Sequence, residues 1–112
     1  MTVTNVTTYE EWKSVLDTGA PVVVDFHGEA WCQPCQRFAP TFKKVAEERP
    51  DIAFVKVDID LEGNEELRSE FEFQTVPAVF VINGDNVDQI KWGAGPAFLR
   101  KVNEHVPQRD SD

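Results

Sequence analysis

Hydrophobic positions along this chain switch repeatedly between two periods. In "TTYEEWKSVLD" the apolar residues Tyr9, Trp12, Val15 and Leu16 recur at helical spacing, which predicts an amphipathic helix with Thr8 as N-cap and Gly19 as stop. "PVVVDFH" is then a continuous β-branched run, the pattern of a strand buried on both faces. From Cys32 onward, Cys35, Phe38, Phe42, Val45 and Ala46 share one helical face, and that helix should end near Pro50. Pro40 falls inside it and predicts a kink. "IAFVKVDI" reads as a second buried strand and "NEELRSEF" as a short polar helix. "PAVFVI" and "NVDQIKW" flank the turn "NGDN" and predict a hairpin. "PAFLRKVNEHV" closes the chain as an amphipathic helix with Pro96 in its first turn. The early βαβ unit implies parallel strands and the hairpin an antiparallel pair. The expected α/β architecture is a mixed central sheet covered by helices on both faces.

Composition narrows the function classes. At 112 residues the chain is long enough for one core and not for two. The ordered pattern runs over 1–107 as a single domain, with 108–112 a polar tail. The apolar runs are strand-sized, far below the ~18 residues a membrane helix needs. The N-terminus lacks a basic region followed by an apolar core, so a cytoplasmic protein is expected. A formal net charge of -9 repels phosphate backbones and argues against direct nucleic-acid binding.

Both cysteines lie in "WCQPC", Cys32 and Cys35. Structural zinc takes four Cys or His ligands, and His27 and His105, in different elements, offer no finger-like spacing, so no metal site is expected. Haem attachment needs a histidine after the second cysteine, where Gln36 stands. A staple closing so short a loop stabilises little. Thiol–disulfide exchange fits better. A thiolate opening a helix meets unpaired N–H groups and the positive end of the helix dipole, which lowers its pKa. Cys32 would be the exposed, attacking sulfur, and Cys35, one turn on, a deeper resolving thiol. Pro34 suits the first turn of such a helix.

The ordered set "VVVDF", "WCQPC", "FAP", "VKVDID", "TVPAVFV" and "WGAG" resembles the thioredoxin family along nearly the whole chain. The resemblance implies a five-stranded mixed sheet flanked by four helices, and a protein-disulfide reductase serving cell redox homeostasis. Cys32 matches the family nucleophile, Cys35 the resolving cysteine, and Asp25 the buried acid that takes and returns the resolving thiol's proton. Burial among valines should itself raise the Asp25 pKa; a strand-end Asp facing solvent is the alternative. Lys56 matches the lysine near that acid, or is a lysine snorkelling from its strand. Pro77 matches a cis-proline opposite the cysteines, which leaves the Val76 main chain free to pair with an extended substrate. Trp31, Gly93 and Ala94 match an apolar rim, and Pro40 a structural proline. The family implies a monomer without bound cofactor, acting on disulfide-containing proteins. Reducing equivalents would come from NADPH through a flavin-dependent thioredoxin reductase.

Two departures stand out. Gln33 replaces the usual glycine between the cysteines, and as a neutral residue it should shift the potential only modestly. The segment "DFHGEAWC" holds one residue more than the commonest pattern, with His27 in place of an aromatic. His27 either adds a titration near neutrality or fills the aromatic's space; Gly28 is expected to absorb the extra residue in a turn or bulge. Two other functions remain open: a disulfide oxidase or isomerase, which would need a higher potential, and a redox-independent binding subunit using Trp31, Val76 and Ala94.

Overall fold

The strand with the longest unbroken apolar pattern, β2 (Val22–His27), lies in the middle of the sheet with all six residues buried. In this computed structural model, which describes residues 3–108, the sheet order is β1-β3-β2-β4-β5. The flanking strands are β1 (Val3–Val6), β3 (Ala53–Asp58), β4 (Ala78–Asn83) and β5 (Asn86–Ile90). β1, β3 and β2 run parallel, while β4 pairs antiparallel with β2 and β5 antiparallel with β4. The mixed sheet and four helices therefore match the expected architecture.

β1 is the element the hydrophobic pattern does not predict. It is four residues long with only Val6 buried, and it is recruited at the sheet edge by register with Phe54–Val57. The hairpin turn is the two-residue loop Gly84–Asp85, and Gly84 holds φ 63, the positive value that primed hairpin turns require.

Helices cover both faces. α1 (Tyr9–Asp17) is capped by the Thr8 side chain, which accepts the Glu11 N–H. α3 (Glu65–Ser69), entered through a 3₁₀ turn at Glu62–Asn64, is shorter than the predicted polar helix. Trp12, Val24, Phe26, Leu67 and Phe80 pack in the core on this side. On the other face, α2 (Gln33–Glu48) and α4 (Pro96–His105) enclose Val23, Phe42, Phe54, Phe98 and Val102. The buried stripe of α2 is Cys35, Phe38, Phe42, Val45 and Ala46, the face its periodicity predicts, and Pro40 sits inside this helix. Burying one such side chain is worth ~1.5–3 kcal/mol, so this stripe fixes how the helix and its N-terminal cysteines sit on the sheet. Arg49, 1% exposed, ends α2 by donating to Asn103 Oδ1 (2.6 Å) and the Val106 carbonyl (2.8 Å), which locks α2 to α4.

Candidate functional site

The site begins where β2 stops. The Cys32 N–H donates to the Gly28 carbonyl at 3.1 Å, closing a turn between the strand and α2. Cys32 is extended (φ -89, ψ 100) and serves as N-cap: its sulfur accepts the Cys35 N–H at 3.1 Å. No acidic residue stands in the first turn of α2, so nothing there offsets the positive end of the helix dipole at this sulfur. Cys32 and Cys35 are joined in a disulfide, with Cα atoms 5.2 Å apart.

The expected contrast between an exposed Cys32 and a deep Cys35 does not hold for whole residues, which are 3% and 4% exposed. The loop before β4 closes over Cys32: the Val76 carbonyl oxygen lies 3.7 Å from Cys32 Sγ, a contact and not a hydrogen bond, since a disulfide sulfur carries no proton. What separates the two cysteines is access. Cys32 borders an open groove of about 800 Å³ together with Trp31, Gln33, Phe73, Gln74 and Val76, and Cys35 does not line it. The Val76–Pro77 peptide is cis, and Pro77 is buried beneath the groove-lining Val76.

Trp31 is 56% exposed and forms one wall. Its indole N–H donates to Asp60 Oδ2 at 2.5 Å. Its ring lies over Gly28, where a Cβ would come within 2.4 Å of Trp31 Cε2. Gly28 thus serves close approach in the turn; β2 already ends at His27, so the extra residue is not taken up by a bulge. Gly28→Ala is expected to push the indole off Asp60, changing the tryptophan emission of the oxidised protein and raising KM for protein disulfides about three- to tenfold, the loss typical of one displaced contact of ~1 kcal/mol. Unchanged emission and KM would contradict this role.

Gly93 and Ala94 lie in the loop between β5 and α4, and neither lines the groove at Cys32. Their neighbour Trp92, 41% exposed, packs on Phe38 of α2 with ring centroids 5.9 Å apart and so docks this loop on the helix carrying Cys35. Asp60, Phe73, Gln74 and Trp92 are not singled out by the sequence. Each acts through a loop conformation, and no periodic pattern reports where a loop goes.

Asp25 is fully buried. It shares the β2 face of Val23, the face that packs against α2, and neither carboxyl oxygen has a hydrogen-bond partner. Burial pushes its pKa up from 3.8 to about 7, and the Lys56 charge acts in the opposite direction. Lys56 is in direct register with Asp25 on β3. His27, two residues further on the same face, is 4% exposed and has Nδ1 3.4 Å from Glu29 Oε1. Burial and then Lys56 hold its pKa below 6.5, against the pull of Glu29 and Asp58. Lys56, His27, Glu29 and Asp58 border a cleft of about 630 Å³ on this side of the sheet. Among the described residues, no cluster of His, Cys, Asp and Glu is placed to hold a metal ion.

Comparison with known proteins agrees with this geometry. The thioredoxin family model matches residues 3–104. A thioredoxin of Mycoplasmoides gallisepticum is 40% identical over 86 residues, covering 76% of this chain and 83% of that protein. A mitochondrial thioredoxin of Mus musculus is 43% identical over 77 residues, covering 67% of this chain and 45% of that protein. Thioredoxin O2 of Arabidopsis thaliana in its oxidised state superposes with a TM-score of 0.78 at 26% identity, covering 96% of each chain. With a disulfide at a helix N-cap beside the loop that carries cis-Pro77, and a family match over nearly its full length, the chain belongs to the thioredoxin family and is a thiol–disulfide oxidoreductase.

Proposed function

We propose that the protein is a general protein-disulfide reductase in which Cys32 attacks and Cys35 resolves. The observation that carries this order is that Cys32 caps the helix and borders the groove, while Cys35 does not line it. Cys32 thiolate attacks one sulfur of a substrate disulfide, forming a mixed disulfide and releasing the other sulfur as thiolate. The substrate backbone lies along Val76, whose carbonyl already reaches Cys32 at 3.7 Å. The Cys35 thiol gives its proton to Asp25, attacks Cys32 Sγ and expels the second substrate thiolate. Two electrons leave the protein, and the Cys32–Cys35 disulfide forms. Burial of Asp25 supports its role as a base near neutrality, and Lys56 limits how far that acid is raised. Trp31, Gln33 and Pro34 shape the groove around the attacked bond, and Gly93 and Ala94 stand outside its lining.

The same reading assigns residues 1–107 to one monomeric domain that carries no cofactor. It is recycled by NADPH through a flavin-dependent thioredoxin reductase, and it acts in the cytoplasm, where a reducing poise keeps such dithiols reduced. A reduction potential near about −270 mV with rapid reduction of insulin disulfides is the expected result; a potential near about −120 mV would overturn reductant duty.

A further inference from the structure

The groove beside Cys32 contains two charged side chains, Asp60 and Arg68. Asp60 is engaged by the Trp31 indole. Arg68, exposed near the end of α3, lies over the Phe73 ring with its guanidinium carbon 5.7 Å from the centroid. Among the described residues it enters no ion pair, although Glu65 and Glu72 border the adjoining hollow. The contact with Phe73 holds a planar cation at the groove and leaves its N–H fork unused. Phe73 is three residues before Val76, so at most ~11 Å of extended chain separates the two backbones.

From this placement, and resting on the reductase reading above, we infer that Arg68 is a specificity determinant for substrates carrying an aspartate or glutamate a few residues from the attacked cysteine. The substrate pairs with the Val76 main chain, and its flanking carboxylate meets the Arg68 guanidinium in a charge-assisted, bidentate hydrogen bond. The sign of this preference distinguishes it from the field of the whole chain. A net charge of -9 disfavours acidic substrates at long range, so a preference for a carboxylate has to arise locally.

The test compares the reduced protein against three peptides with one internal disulfide each, differing only in Glu, Gln or Lys at a position about three residues from the attacked cysteine. For the natural protein, kcat/KM is expected to be about threefold higher for the Glu peptide than for the Gln peptide, the size usual for an exposed pair. That ratio should fall toward one at ~1 M salt. Arg68→Gln should abolish the preference, and Arg68→Glu should turn it toward the Lys peptide, each preference being read as a ratio to the Gln peptide within the same protein. A Glu-to-Gln ratio of one in the natural protein, or an unchanged ratio in Arg68→Gln, overturns the assignment while leaving the reductase reading intact. Failure of the natural protein to reduce even the Gln peptide overturns that reading, and this inference with it.

Discussion

Cys35→Ser is expected to convert the protein from a catalyst into a trap. The variant keeps Cys32 as N-cap of α2, on the border of the groove, and the substitution leaves in place the backbone N–H that meets Cys32 Sγ at 3.1 Å in the natural chain. The first exchange with a substrate disulfide should therefore proceed, and the second has no thiolate to perform it. A covalent complex through Cys32 should accumulate to near stoichiometry, visible on a non-reducing gel and by intact mass, and reversed by excess dithiothreitol. Steady-state turnover should fall by at least ~10³-fold, the scale lost when a covalent mechanism is denied one of its two steps. Cys32→Ser gives the opposite arm: no complex, because Cys35 does not border the groove. Equal trapping by both variants would show that the two sulfurs are equally accessible, and would remove the basis for assigning Cys32 as the attacking thiol.

How much of the fold and the site is legible in the sequence depends on whether a residue announces itself by pattern or by placement. The run "VVVDFH" identifies a central strand because three successive valines and a phenylalanine have few other uses, and an acid inside that run is conspicuous. The helix stripe from Cys35 to Ala46 is legible for the same reason. β1 escapes because an edge strand with one buried residue carries no period, and only its pairing with β3 makes it a strand. Cys32 reads as exposed because a helix N-terminus is usually open to solvent, yet the loop carrying Val76 returns to cover it. The length of its segment suggests a turn or a bulge at Gly28; the turn is what forms, and the indole ring three residues later that lies on its Cα is the constraint the sequence does not report. The Trp31–Asp60 hydrogen bond joins the loops after β2 and β3, the Arg68–Phe73 contact joins α3 to the loop before β4, and no periodic pattern reports either.

Asp25→Asn is expected to raise the relative stability of the oxidised protein at alkaline pH while slowing its chemistry near neutrality. In the folded chain burial raises the Asp25 pKa from 3.8 to about 7. Between those values the native state holds a proton that the unfolded chain has already released, so unfolding free energy falls as pH rises. The Asp25 contribution is fully present below the unfolded pKa and is lost once pH passes the folded one. The gap corresponds to at most on the order of 4 kcal/mol, and a fully buried site without hydrogen-bond partners has little solvent to reduce it. Denaturant unfolding of both proteins from pH 4 to pH 9 should show the variant gaining on the natural protein steadily from acid toward pH 8. A buried amide lacking partners costs ~1–3 kcal/mol and displaces the variant's curve vertically, so the pH dependence and not the absolute offset is the diagnostic. Parallel curves would mean that Asp25 ionises in the native state as it does in the unfolded one. The kinetic counterpart has its own signature. With the proposed base removed, resolution of the mixed disulfide at pH 7 should slow by about a hundredfold, the lower end of what a positioned base supplies, and recover as pH approaches the thiol's own pKa. On the proposed mechanism the charge that destabilises the folded protein above pH 7 is the one that prepares Cys35 to attack, and the two effects should vanish together in the same variant.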